Sequence, residues 1–129
     1  VSWWWLLVAG AYLMGSAPNA RAIGALAGHD PTVEGSGNPG ASNVYRVAGR
    51  RAGVAVLLLD VLKGLVPSLA GMGVGGRGLG LTCGVAAVVG HVFPLGRLRR
   101  GGKGVATTGG MALALYPLVF GALALIWLV

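Results

Sequence analysis

With 129 residues, 55% of them hydrophobic and only 10% charged, the chain does not read as a soluble domain, in which about a quarter of residues are charged. Its mean hydropathy of +0.77 points to the bilayer as solvent. Ten Lys and Arg against three Asp and Glu give a formal net charge of +7, yet these charges sit in short connectors between apolar runs. That placement argues against nucleic acid, which needs a solvated basic face, and for anionic lipid headgroups or phosphorylated substrates.

The first apolar run carries no charge over residues 1 to 20. It lacks the positive n-region of a signal peptide, and Trp3, Trp4 and Trp5 read as an interfacial belt, so a membrane span is predicted over 3–25. A connector follows over 26–50. The second run is interrupted only by Asp60 and Lys63 and predicts a span over 51–71; the third and fourth predict spans over 79–96 and 104–128. Lipid leaves backbone groups unsatisfied in anything but helix, so the fold class is all-α: a polytopic membrane helix bundle of about four spans forming one domain. Pro18, Pro67, Pro94 and Pro117 are expected at helix ends or kinks. Cys83, the single cysteine, excludes an intrachain disulfide and reads as a small hydrophobe in the third run.

Basic residues orient the spans. Arg21, Arg46, Arg50 and Arg51 flank or occupy the first connector, and Arg97, Arg99, Arg100 and Lys103 the third, while the second holds only Arg77. The positive-inside rule therefore puts 26–50 and 97–103 in the cytoplasm. Small residues four apart, Gly24/Gly28, Gly76/Gly80 and Gly80/Gly84, are candidates for close helix crossings.

Two polar stretches on that side stand out. In "GSGNPGASNVYR", Gly35 to Arg46, glycines and Pro39 shape the backbone, Ser36, Asn38, Ser42 and Asn43 offer hydroxyl and amide groups, and Arg46 can grip a phosphate or carboxylate. A turn-rich loop without chemistry is the plain alternative, against which stand the spans on both sides and a second anion-suited loop on the same face. In "RRGGKGVATT", Arg99 to Thr108, glycines and Lys103 precede a long apolar helix, a start suited to anions. The spacing fails a Walker loop, and a basic membrane-flanking turn explains the stretch equally well.

Asp60 and Lys63, three apart, share a helix face as either a functional site or a self-neutralising pair. His91, in "GHVFP", fits substrate contact, proton donation or simple packing. Other chemistries are excluded. "GVGGRG" follows no strand, no Cys/His set has zinc spacing, and three scattered carboxylates do not make a two-metal site. A His-x4-Asp acyltransferase pair is absent, since Glu34 stands five residues after His29 and Gly96 five after His91. No Ser/His/Asp triad is readable.

Together "GSGNPGASN", "LLLDVLKG", "GHVFP" and "GGKGVATT", in that order between spans, resemble the bacterial acyl-phosphate:glycerol-3-phosphate acyltransferases of the PlsY type. The resemblance runs from about Gly15 to Gly110. It implies an enzyme of the bacterial cytoplasmic membrane that moves a fatty acyl group from acyl phosphate to the sn-1 hydroxyl of glycerol 3-phosphate. The products are lysophosphatidic acid and phosphate, in the first acylation of phospholipid synthesis, with no cofactor and no metal. It implies that Ser36, Arg46 and Lys103 bind glycerol phosphate and that Gly101, Gly102, Lys103 and Gly104 form a phosphate loop. Asn38, Ser42, Asn43, Thr107 and Thr108 would support them, with His91 a possible catalytic group. Ser42 replaces the family's usual Thr, and Arg100 a frequent Lys. The family has further spans and a further cytoplasmic motif, so the chain is expected to be C-terminally truncated. The rival reading is a small anion transporter or channel subunit, with Asp60 and Lys63 lining a path.

Overall fold

The fold is seen in a computed structural model that describes residues 2–97 and 100–128. Among these, every regular element is helical: α1 (Trp4–Gly15), α2 (Asn19–Leu26), α3 (Ala41–Ala48), α4 (Arg50–Val92), α5 (Val105–Leu115) and α6 (Pro117–Leu128). Arg99, one of the basic residues used for orientation, lies outside the described residues.

The helix expected over 3–25 is broken. Pro18 has no N–H to continue the ladder and disfavours helix at Ala17 before it. The freed end of α1 is satisfied from elsewhere in the chain. Ser16 Oγ donates to the Tyr12 carbonyl (2.9 Å) and accepts from the Leu95 N–H (3.2 Å), and the Arg97 guanidinium donates to the Ser16 carbonyl (2.7 Å). The break lets α2 leave the axis of α1 and start at Asn19.

The spans expected over 51–71 and 79–96 are two arms of α4, and the connector between them shrinks to Gly75 and Gly76. Gly76 has φ 74°, ψ −171°, a conformation that side chains with a Cβ rarely adopt, and there the helix doubles back. Contacts across the hairpin pair Ser68 with Gly80 and Gly84, and Lys63 with His91. At 1.5 Å per residue, the arm 50–74 extends roughly 37 Å, enough for a bilayer core of about 30 Å. Among the described residues α4 alone is long and apolar enough to be a spanning helix by itself. The span expected over 104–128 is divided at Tyr116, before Pro117, into α5 and α6.

Where helices cross, glycine removes the side chain. A Cβ at Gly64 would overlap the Thr107 carbonyl, and one at Gly110 the Val61 carbonyl, which locks α5 along the first arm. Gly15 against Ala87 and Gly90 against Tyr12 do the same for α1 and the second arm. In lipid, such close packing replaces the hydrophobic effect as the source of attraction. The four-residue pairs read from the sequence fare unevenly. Gly80 and Gly84 are packed, but Gly28 and Gly76 face open space. Small residues such as Ala11, Cys83 and Ala87 fill the interior, while Leu58, Leu69 and Trp127 face out. This is the pattern of a membrane helix bundle. α6 buries none of its side chains.

α1 runs parallel to the second arm and α5 parallel to the first. Both long polar connectors therefore meet at one end of the bundle. The opposite end carries the α4 hinge and Arg77, stacked over the Tyr116 ring at 5.2 Å.

Candidate functional site

The first connector is ordered mainly by its own polar side chains. Asp30 Oδ1 accepts from the amide (3.0 Å) and hydroxyl (2.6 Å) of Thr32. Glu34 accepts from the Asp30 amide and pairs with His29 Nδ1, both at 2.8 Å. Hydrogen bonds from Thr32 hold Asp30 below the usual carboxylate range. The Asp30 amide, then His29, do so for Glu34. His29 and Glu34, five residues apart, thus touch as a turn lock, outside the cavity described below. Asn43 is the clamp: it is buried, accepts from the Ser36 N–H (3.0 Å) and donates to the carbonyls of Pro31 (2.9 Å) and Glu34 (3.0 Å).

Within the 26–50 connector, expected as loop, lies α3. Its buried face sets Val44 against Ala20 and Val56. Ser42 and Arg46, one turn apart, share the opposite face. The chain then turns at Gly49 into α4.

The second connector is thinner. Gly102 donates to the His91 carbonyl at 3.2 Å, and a Cβ on Gly102 would collide with His91 Nε2. Gly101 sits as closely on the His91 and Val92 carbonyls. Gly104 takes φ 76°, ψ 8° and opens α5, leaving the exposed Lys103 at the mouth of a helix N-terminus.

Between the connectors lies a cavity of about 330 Å³. Ser36, Asn38, Ser42 and Arg46 line one side, Lys103 and Gly104 the other, and Asp60 and His91 part of the remainder. Among the described residues neither Arg46 nor Lys103 is paired with a carboxylate. A groove of about 410 Å³, lined by Tyr45, Val54 and Leu57, shares Ala41, Ser42 and Leu57 with the cavity. A polar chamber with two free cations thus opens beside an apolar trough, an arrangement suited to an amphiphile with an anionic head.

Beneath the cavity, Asp60 accepts from Asn19 Nδ2 (3.0 Å) and Lys63 (3.2 Å), and Lys63 Nζ lies 3.3 Å from His91 Nδ1. All of Asp60, Lys63 and His91 are buried. The narrow recess beside them measures about 20 Å³, room for about one water molecule.

The structure gathers Ser36, Asn38, Ser42, Arg46, Lys103 and Gly104 around one cavity, with Asn43 serving as their scaffold. Gly101 and Gly102 do not line it; they line the narrow recess beside Asp60, Lys63 and His91. Thr107 is buried with its Oγ1 unpartnered among the described residues, and Thr108 is exposed outside the cavity. Sequence reasoning missed Asn19. The signal was a polar residue directly after a proline inside an apolar run, a helix stop followed by a restart.

Comparison with known proteins returns one consistent answer. A family model described as glycerol-3-phosphate acyltransferase matches residues 5–129. A glycerol-3-phosphate acyltransferase of Trichlorobacter lovleyi is 50% identical over 119 residues, covering 91% of this chain and 61% of the relative. One from Pseudomonas fluorescens is 49% identical over 118 residues, covering 88% and 61%. The crystal structure of PlsY (YgiH), an integral membrane glycerol 3-phosphate acyltransferase, in its glycerol 3-phosphate form superposes with a TM-score of 0.91 at 40% identity. The match covers 98% of this chain and 64% of that one. The lysophosphatidic acid form gives 0.88 at 38% identity, with the same coverage. The chain thus spans about three fifths of the length of the curated relatives it matches.

Proposed function

Because this chain belongs to the glycerol-3-phosphate acyltransferase family, we propose that it moves a fatty acyl group from an acyl phosphate to the sn-1 hydroxyl of glycerol 3-phosphate. The products are lysophosphatidic acid and inorganic phosphate. The observation that carries this reading is the cavity itself: Arg46 and Lys103, free of carboxylates, face each other beside an apolar groove. Relatives solved with glycerol 3-phosphate and lysophosphatidic acid support the same choice of acceptor and product.

In this reading Ser36, Arg46 and Lys103 hold the phosphate of glycerol 3-phosphate. The loop Gly101 to Gly104 receives the phosphate of the donor through the N–H groups of Gly101, Lys103 and Gly104 and the start of α5, while the Gly102 N–H stays on the His91 carbonyl. The alkyl chain lies along the groove beside Leu57. An acyl phosphate is an activated mixed anhydride, so the reaction needs no nucleophilic side chain. The glycerol hydroxyl attacks the acyl carbon, the bond from that carbon to the phosphate oxygen breaks, and the departing phosphate takes the hydroxyl proton. The protein contributes orientation of two anions and stabilisation of charge on the acyl and leaving oxygens. The loops face the cytoplasm of a bacterial inner membrane, as the basic connectors suggest.

The test measures phosphate release from palmitoyl phosphate, with and without glycerol 3-phosphate, and identifies the lipid product. It is run on the chain in nanodiscs and on a chimera that continues it with the remaining part of the Trichlorobacter lovleyi relative. Release stimulated by glycerol 3-phosphate, with lysophosphatidic acid formed, supports the reading. A folded chimera that releases no phosphate under either condition contradicts it.

A further inference from the structure

A line of polar side chains runs from the break after α1 to the glycine loop, and the reaction described above assigns it no task. Asn19 donates to Asp60 at 3.0 Å, Asp60 pairs with Lys63 at 3.2 Å, and Lys63 Nζ stands 3.3 Å from His91 Nδ1. The order of contacts decides which groups donate. With Lys63 charged as the partner of Asp60, its ammonium has only donors, and the contact then requires Nδ1 of His91 to accept and the ring hydrogen to stand on Nε2. Asp60 lies 3.8 Å from Nδ1, beyond hydrogen-bond reach, and is already engaged by Asn19 and Lys63. A second proton on Nδ1 would point at an ammonium.

The other edge of the ring faces the loop. A Cβ on Gly102 would strike Nε2, and His91 also lines the cavity shared by Arg46 and Lys103. A buried ion pair is costly in a membrane bundle, and one that served only to neutralise itself would need no third member. Here the third member is the residue on which the loop is seated.

We infer that Asp60 and Lys63 are positioning residues that hold His91 in its Nε2–H form, so that the ring donates a hydrogen bond to a phosphoryl oxygen bound at Gly101 to Gly104. His91 then presents a hydrogen and is not the group that removes the proton of the glycerol hydroxyl. This assignment rests on the phosphate-bearing substrates proposed above.

Histidine-selective nitrogen-15 spectra of the chain in nanodiscs read the ring directly and require no turnover. His29→Gln assigns the signals of the other ring. The expected spectrum has a bare Nδ1 and a protonated Nε2 on His91, and added inorganic phosphate moves Nε2 more than Nδ1. Lys63→Met is expected to mix the two ring forms, whereas Lys63→Arg, which keeps a donor, preserves the native one. In the acyl-transfer assay on the chimera, Lys63→Met should lower kcat on the order of tenfold with little change in KM for glycerol 3-phosphate, and Lys63→Arg should restore most of it. His91→Gln, whose amide reaches the Nε2 position, should retain more activity than His91→Asn. A native ring protonated on Nδ1, an Nε2 signal indifferent to phosphate, or a folded Lys63→Met chain with an unchanged ring would overturn the inference. If Lys63→Met does not fold, the native spectrum and its phosphate titration still decide. The expected ring and phosphate response without any acyl transfer would instead refute the substrates and leave the positioning intact.

Discussion

The two polar segments over the cavity are built in opposite ways. Residues 29–43 carry their own framework, with Glu34 tying the turn together and Asn43 binding three backbone groups. Residues 100–104 have little framework of their own and take their shape from the helix beneath, against His91 and Val92. In the first segment polar side chains impose order. In the second, thinness does: Gly101 and Gly102 have ordinary φ values, and what they provide is close approach. The first should therefore fail when a polar partner is removed, and the second when bulk is added.

The largest effect should come from bulk. Gly102→Val is expected to push the loop off His91 and cost about a hundredfold in kcat, the scale of an ångström-sized misplacement, while the protein still folds in nanodiscs. Kinetics paired with thermal unfolding check this. Next come the cations. Arg46→Ala and Lys103→Ala each remove a charge-assisted contact of about 1.5–3 kcal/mol, so kcat/KM for glycerol 3-phosphate should fall about tenfold or more. Near-native kinetics in either variant would return both segments to the status of membrane-flanking turns.

Smaller effects belong to the framework of the first segment. Asn43→Ala should raise KM for glycerol 3-phosphate severalfold with kcat nearly intact and speed protease cleavage between 30 and 40. At 100–104 the same logic finds no side chain that orders the loop, since Gly101 and Gly102 shape it by close approach, which is the contrast in its sharpest form. The smallest effect is pH-dependent. Asp30 and Glu34 are held below the usual carboxylate range, so the turn's stabilisation is present above the unfolded pKa and is lost as pH falls through the folded value. Exchange protection of the Asp30 and Thr32 amides, taken relative to the intrinsic rate at each pH, should persist through mild acid and be lost only below that range. The loop 100–104, lacking carboxylates, should not respond.

The apolar runs made the helical membrane bundle legible, but not its joints. Hydropathy averages over about 19 residues, and a two-residue turn such as Gly75–Gly76 vanishes inside such a window. Pro18 and Pro117 were visible as irregularities, yet only tertiary partners such as Arg97 on Ser16 decide whether a proline kinks a helix or ends it. At the site, Arg46 and Lys103 stood out because charged groups in so apolar a chain are few, whereas only the family resemblance singled out Ser36 from Asn38, Ser42 and Asn43. Spacing also placed Asp60 and Lys63 on one face. It did not reveal Asn19 or the link to His91, because both contacts depend on how separate helices come together. Asn43 read only as one of several supporting groups, because its three backbone partners are set by the path of the loop, which composition does not encode.

The most direct test of the cavity as a phosphate-binding site is calorimetric titration of glycerol 3-phosphate into the chain held in nanodiscs, beside the Arg46→Ala/Lys103→Ala double variant. Saturable binding by the native chain, lost in a folded double variant, is the expected result. Equal binding by both, or none by the native chain, would contradict the account.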